Sequence, residues 1–332
     1  MPLLRRDLTI DVTAAMPKDV SDQVTMTATL VCDPERLPAD PTVIVAIPGG
    51  TYHRRYWDLQ PSGRAGYSKA EWFSRRGAVF VACDYLGGGD STRPADGDFM
   101  TLEVCADAAH VVHEHLRAGL AEGSLVDGLP PLPAATHLGI GQSLGGFITL
   151  IQQGKYRDYP AIGVFGASPL TISNIPEHRE LSGLSTEERR RALLEDNAKT
   201  AGVDELPPYH TAPRELYRGV FHVLDVPADV FQYDVDECMS LISRISGIDG
   251  MTPGYSQPFA DEIDVPVFLA FGDSDVSRNP HTEPTAYPRS RDVTVVTVPR
   301  MAHMHNFADT REELWRRFAG WLAEVTGRPE RT

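Results

Sequence analysis

The chain has 332 residues, 42% of them hydrophobic and 23% charged, with a formal net charge of −15. This is an ordinary globular composition, long enough for one large α/β domain or two smaller ones and for an extensive core. The acidity repels phosphate backbones and anionic bilayers, so nucleic acid and membrane are excluded as expected partners.

The first residues, "MPLLRRDLTIDV", carry no apolar stretch ahead of their charges, and no run of 18 apolar residues occurs anywhere. Neither a secretory signal nor a membrane span is therefore predicted. Cys32, Cys83, Cys105 and Cys238 are scattered, without a C-x-x-C pair. They fit neither a zinc ribbon nor a disulfide framework and point to a reducing, cytoplasmic compartment.

Candidate strands in chain order are Leu8–Val12, Val24–Val31, Val43–Ile47, Val79–Asp84, His137–Gly141, Ile162–Phe165, Val265–Phe271 and Val293–Val298. The first two read as an antiparallel edge. Those from Val43 onward are compact apolar runs, the pattern of strands covered by helices on both faces. Helical spacing falls at Ser68–Arg76, Leu102–Leu116, Leu144–Gln153 and Arg311–Val325. In the last, Leu314, Trp315, Phe318, Trp321, Leu322 and Val325 form one stripe. The second contains His110, His113 and His115, but H-E-x-x-H is absent. A solvent-facing amphipathic helix is expected there, not a metal site. Strand–helix alternation of this kind predicts a mostly parallel sheet with helices on both faces.

Between Ser168 and Asp264 the alternation stops. This stretch holds the charged helix "STEERRRALLEDNAKTA", the turn "ELPPYHTAP" and apolar-aromatic segments such as "LYRGVFHVLDVPADVFQY". Arg189–Arg191 are expected on a solvated helix face. The stretch reads as a helical insertion bounded by Pro169 and Pro266.

The chemistry begins at "THLGIGQSLGGFITLIQQ", where a strand meets a helix at Gly141–Gln142–Ser143–Leu144–Gly145. A sharp strand-to-helix turn strains its apical residue, and neighbours two positions away must lack side chains for strand and helix to approach. G-x-S-x-G arises by chance in about one chain in ten of this length, so the flanking elements carry the argument. Gly139-x-Gly141 has Leu144 where a dinucleotide-binding motif needs its third glycine, and no G-K-[ST] follows. Ser143 is thus a candidate nucleophile, with the Leu144 N–H facing a developing oxyanion.

A serine needs a base, and the base an orienting carboxylate. "FLAFGDSDVSRNP" offers Asp275, with Asp273 as rival, just past a strand; "VTVVTVPRMAHMHNFADTREELW" offers His303, with His305 as rival, between a strand and the last helix. With this order of Ser, Asp and His, each beyond a strand's C-terminal end, the chain resembles the α/β-hydrolase superfamily over about residues 24–167 and 263–325. The resemblance favours Asp275, through the spacing Gly272-x-x-Asp275 followed by Pro280. It favours His303, through the small Ala302 before it. "VIVAIPGGTYHRRYWD" lies where the family usually reads His-Gly; Pro48 replaces the histidine, and Gly50 or Thr51 would supply the second oxyanion N–H. "CDYLGGGDSTRP" resembles the family's supporting D-x-x-G-x-G-x-S-x-x-P segment, through Asp84, Gly87, Gly89, Ser91 and Pro94.

The resemblance implies an eight-stranded, mostly parallel sheet, with core segments at 1–167 and 263–332 and a helical lid over 168–262. It implies a serine hydrolase acting on a carboxylic ester or lactone, with no metal and no cofactor. Aromatic and apolar residues in the lid (Tyr209, His210, Phe221, Phe231, Tyr233 and Met239) and in the oxyanion loop (Tyr52, Tyr56 and Trp57) favour an apolar or aromatic small-molecule substrate. Tyr52, His53, Tyr56, Gln142, Phe231 and His305 are the expected substrate-binding residues. Arg54 and Arg55 could pair with a substrate carboxylate or lie on the surface. A thioesterase, acyltransferase or C–C bond hydrolase would share the three residues. Haloalkane dehalogenases and epoxide hydrolases need Asp at position 143. A non-catalytic small-molecule-binding protein on the same fold is the alternative of another class. A homodimer is the default assembly for such an enzyme.

Overall fold

The computed structural model describes residues 2–20, 22–170, 184–223, 225–277 and 279–328. Its strands are β1 (Leu4–Asp11), β2 (Thr25–Cys32), β3 (Thr42–Ile47), β4 (Val79–Cys83), β5 (Thr136–Gln142), β6 (Ile162–Phe165), β7 (Tyr209–His210), β8 (Ile242–Ser243), β9 (Val267–Ser274) and β10 (Val293–Ala302). Its helices are α1 (Lys69–Ser74), α2 (Leu102–Glu122), α3 (Leu144–Tyr156), α4 (Thr186–Ala201), α5 (Arg214–Phe221), α6 (Ala228–Tyr233), α7 (Arg244–Met251), α8 (Gln257–Ala260) and α9 (Arg311–Thr326).

Eight strands form one sheet in the order β1-β2-β4-β3-β5-β6-β9-β10, and β7 pairs with β8 separately. β1–β2 and β2–β4 are antiparallel, and every later neighbour is parallel. The apolar strand runs are continuous because both faces are covered. Along β3, Val43, Val45 and Ile47 join one core with α2 and α3, while Ile44 and Ala46 join the other with α1 and α9. Five of the six stripe residues of α9, from Leu314 to Leu322, are buried, and Val325 packs against them part-buried. Each large apolar side chain so covered contributes about 1.5–3 kcal/mol.

Two expectations need correcting here. His113 is not on a solvated face but buried, its ring 4.7 Å from Tyr159 and 5.3 Å from His137, because β5 and the segment after α3 cover that side of α2. Nor are Arg189–Arg191 uniformly solvated. Arg189 donates to the Pro253 carbonyl at 2.7 Å, and Arg190 to Asp249 at 2.7 Å, anchoring α4 to α7. Asp249 also accepts the Leu102 N–H at 3.1 Å, so the run between β6 and β9 is pinned to the start of α2. Of that run, residues 171–183 and 224 lie outside the described residues.

Candidate active site

Ser143 joins β5 to α3 with φ 52 and ψ −119, a conformation that L-residues rarely adopt. Its glycine neighbours are dictated by contact. A Cβ on Gly141 would lie 1.9 Å from the Gly145 carbonyl oxygen, and one on Gly145 would lie 2.1 Å from that of Ile47. Serine is a favoured N-cap residue, yet its side chain makes no cap bond here. The hydroxyl is instead within 2.9 Å of His303 Nε2.

His303 and Asp275 follow β10 and β9. β6 lies between β5 and β9 in the sheet, so the imidazole must pass over its end to reach the serine. Gly166 occupies that end at φ 57, where a Cβ would lie 3.1 Å from His303 Nδ1 and 3.3 Å from Asp275 Oδ2. His303 Nδ1 stands 2.7 Å from Asp275 Oδ1. An ionised carboxylate only accepts, so Nδ1 carries the proton, Nε2 accepts, and the Ser143 hydroxyl donates to it. The Gln142 side chain holds the His303 carbonyl at 2.9 Å, and the Val220 carbonyl accepts the His303 N–H at 3.2 Å.

Asp275 is buried and heavily hydrogen-bonded. Its carboxylate accepts the N–H groups of Gly272 (3.1 Å) and Val276 (2.7 Å) and, at 2.6 Å, His305 Nε2. Burial alone would raise its pKa, but the imidazoles of His303 and His305 outweigh it and hold the carboxyl far below the usual range. Asp273 faces elsewhere, accepting the N–H groups of Arg300 and Met301 at 2.9 and 3.1 Å.

The loop after β3 runs beside the start of α3. A Cβ on Gly50 would sit 3.6 Å from Leu144 Cβ, so the backbones of Gly50 and Leu144 are neighbours. The Leu144 N–H, first in its helix, has no partner within it. The Thr51 N–H differs: it donates to the Tyr85 hydroxyl at 2.9 Å, which leaves Gly50 as the free choice of the expected pair.

The residues expected to bind substrate are buried and engaged with protein. Tyr52 donates to Asp234 at 2.9 Å, and Tyr56 packs on Tyr52, Trp57 and Phe307. His53 accepts the Arg55 N–H at 3.1 Å and meets Asp90 at 3.1 Å. Phe231 packs edge-on against His222. Gln142 and His305 hold His303 and Asp275, as described. Arg54 is buried against Asp84 and Asp90, while Arg55 pairs with Glu237. The aromatic ring beside His303 is Phe221, at 6.1 Å. Gly166, Tyr85 and Arg214 were not singled out in the sequence. Only Gly166, a glycine directly after a strand, carried a readable signal.

Among the described residues two groups have metal-like spacing, and in both the carboxylates are engaged by protein side chains. In His53, Asp84 and Asp90 the Arg54 guanidinium fills the cation's place. In His113, Glu114 and Asp158, Arg117 holds both Glu114 oxygens (3.1 and 2.9 Å), and His110 and Gln152 hold Asp158. Among the described residues no helix is long and apolar enough to cross a membrane.

No protein-family model and no curated protein matches the chain. Solved structures do. A thermophilic esterase from Thermogutta terrifontis is similar at 16% identity and TM-score 0.58, over 96% of this chain and 99% of that one. A bromoperoxidase from Bacillus anthracis is similar at 15% identity and TM-score 0.60, again over 96% and 99%. Est1E from Butyrivibrio proteoclasticus, with ferulic acid bound, is similar at 15% identity and TM-score 0.54, over 97% and 100%. At such identities the likeness concerns fold. The chain has the α/β-hydrolase fold, an eight-stranded, mostly parallel sheet with helices on both faces.

Proposed function

We propose that the protein is a serine hydrolase that cleaves a carboxylic ester or lactone of an apolar or aromatic small molecule, with Ser143, His303 and Asp275 as its triad. The observation that carries this reading is the continuous line from Ser143 Oγ through the imidazole to the Asp275 carboxylate, 2.9 and 2.7 Å long. Ser143 Oγ attacks the carbonyl carbon as Nε2 takes its proton. The Leu144 and Gly50 N–H groups receive the oxyanion, each such donor being worth about 3 kcal/mol. The tetrahedral species collapses, His303 returns the proton to the departing alkoxide, and water, activated by the same imidazole, releases the acid.

Residues 168–262 serve in this reading as the lid between core segments 1–167 and 263–332. The Val220 and Phe221 carbonyls accept the N–H groups of His303 and Met304 at 3.2 and 2.9 Å, which fits a lid docked at the base. Phe221, beside His303, and Ile242, near Gly50, favour an apolar acyl or alcohol group. The ferulic acid bound to Est1E and the esterase likeness support the same class. A cytoplasmic setting agrees with four buried, unpaired cysteines.

Hydrolysis of a panel of p-nitrophenyl esters, lactones and acyl-thioesters tests the reading and separates the ester from the thioester variant. Ser143→Ala is expected to cut turnover by about 10⁴-fold or more while leaving the melting temperature in place. Retained turnover in a clean Ser143→Ala preparation would overturn it. Failure of a fluorophosphonate to label wild-type Ser143 would favour a binding protein instead.

A further inference from the structure

Thr51 occupies a conformation that threonine avoids. The Tyr52 N–H donates to the Gly49 carbonyl at 3.1 Å, closing a turn with Gly50 and Thr51 at its centre. Of these two only Thr51 is left-handed, at φ 65. That is the type II pattern, whose third position ordinarily takes glycine or asparagine. A β-branched side chain disfavours it, and a type I turn, with the Gly50–Thr51 peptide reversed, is the natural relaxation.

Thr51 is held against that relaxation from outside the turn. Its N–H donates to Tyr85 Oη at 2.9 Å, and the Tyr85 hydroxyl in turn donates to the Leu241 carbonyl at 2.9 Å. The Thr51 carbonyl accepts Arg214 Nη2 at 2.7 Å and the Ser240 N–H at 2.8 Å, and its hydroxyl accepts Arg214 Nη1 at 3.0 Å. Arg214, Ser240 and Leu241 all come from the run between β6 and β9.

Arg214 is itself fixed. It is 2% exposed, with Nε 3.2 Å from Asp234 Oδ1 and its guanidinium carbon 3.9 Å from the Tyr52 ring centre. Asp234 is fully buried and meets Tyr52 Oη at 2.9 Å and His222 Nε2 at 2.8 Å. A buried ion pair is a poor source of stability, because desolvation offsets most of the attraction. What the rigid guanidinium fork supplies is geometry: two donors on one residue's carbonyl and hydroxyl.

We propose that Arg214 is a positioning residue: by fixing Thr51 in its left-handed conformation it keeps the Gly50–Thr51 peptide, which directly follows the Gly50 N–H, from reversing its carbonyl dipole beside the oxyanion site. The helix α5 that carries it thereby makes the run between β6 and β9 a working part of the oxyanion site. This rests on the hydrolase reading above.

The test is a kinetic double-mutant cycle on p-nitrophenyl acetate with wild type, Arg214→Met, Thr51→Gly and the double variant. Arg214→Met is expected to lower kcat about 10–100-fold, with KM changed less than about threefold, as weakened oxyanion stabilisation does. Glycine adopts φ 65 freely, so adding Arg214→Met to Thr51→Gly should cost less than about fivefold. Equal losses in both backgrounds, or a change in KM alone, would mean that Arg214 only anchors its own segment, and the proposal falls. If Asp234, left without its cation, unfolds Arg214→Met, the neutral pair Arg214→Met/Asp234→Asn carries the same comparison, with melting temperatures showing that every variant is folded. A wild type that neither hydrolyses the ester nor labels with fluorophosphonate overturns the hydrolase reading and this proposal together. An active wild type, an inert Ser143→Ala and undiminished kcat in the Arg214 variants overturn this one alone.

Discussion

Lys69 opens α1 with 1% of its surface exposed, its Nζ 4.0 Å from the Phe165 ring centre and 5.1 and 5.2 Å from those of Trp57 and Phe318. Two effects compete on its charge. Cation–π attraction favours the ammonium by about 2 kcal/mol when desolvated, whereas desolvation itself costs several kcal/mol. Burial wins and pushes the pKa well below its usual value. The folded pKa is depressed below the unfolded ~10.4. The folded state therefore holds this proton less tightly than the unfolded chain does, a cost to folding that fades as pH rises to about 10. Lys69→Met should stabilise the protein by about 1–3 kcal/mol at pH 7 and by much less at pH 10. Urea unfolding at the two pH values checks this; an equal effect at both would show that charge plays no part. Nothing in "YSKAEW" announces the burial, since hydrophobic patterning assigns a lysine outward and only the tertiary packing of three rings reverses it.

The turn from β5 into α3 was legible because its constraint is local. Glycines two residues either side of Ser143 are needed by two backbones in contact, so their absence of side chains is a direct imprint of geometry. Gly145→Ala should cost about 3 kcal/mol or more, since its Cβ would meet the Ile47 carbonyl at 2.1 Å. Among the described residues Gly320 in α9 has nothing within 4 Å of an added Cβ, so Gly320→Ala should gain about 0.5–1 kcal/mol from helix propensity. Thermal melts of both variants must move in opposite directions; a tolerated Gly145→Ala would mean the elbow is looser than drawn. The strands and the Ser, Asp and His at their ends were legible for the same reason, because period and turn chemistry act over a few residues. The run between β6 and β9 was not. Arg214, His222 and Asp234 lie in a stretch without periodicity, and their joint burial depends on Tyr52 and Thr51 more than 160 residues earlier. Composition likewise marked Tyr52, Tyr56 and Phe231 as aromatic without saying which way they face, and they face the interior.

At the scale of the molecule, acid stability separates groups that fold in their charged form from groups that fold neutral. Asp275 is of the first kind: its carboxyl is held low, so its contribution persists above pH ~4 and is lost only as pH falls below that. His137, at the start of β5, is of the second. Burial first, then the neighbouring His113 and Arg117, lower its pKa to about 4, against a smaller opposing pull from Glu114. Among the described residues its Nδ1 has no hydrogen-bond partner, so no acceptor there rewards the proton. The unfolded chain takes up that proton near pH 6.5 and the folded one only near pH 4. Between these values the unfolded state binds more protons, so stability must fall as pH falls. The loss amounts to at most about 3 kcal/mol across the window. Urea unfolding of the wild type at pH 7, 5.5 and 4 should therefore show weakening that begins above the carboxylate range. In His137→Leu, which has nothing to protonate there, this early part of the decline should shrink to what His210, also lowered by burial, supplies, while the later carboxylate part stays. Parallel curves for the two proteins would mean that the imidazole is either solvated or already charged in the fold, and that the acid weakening starts elsewhere.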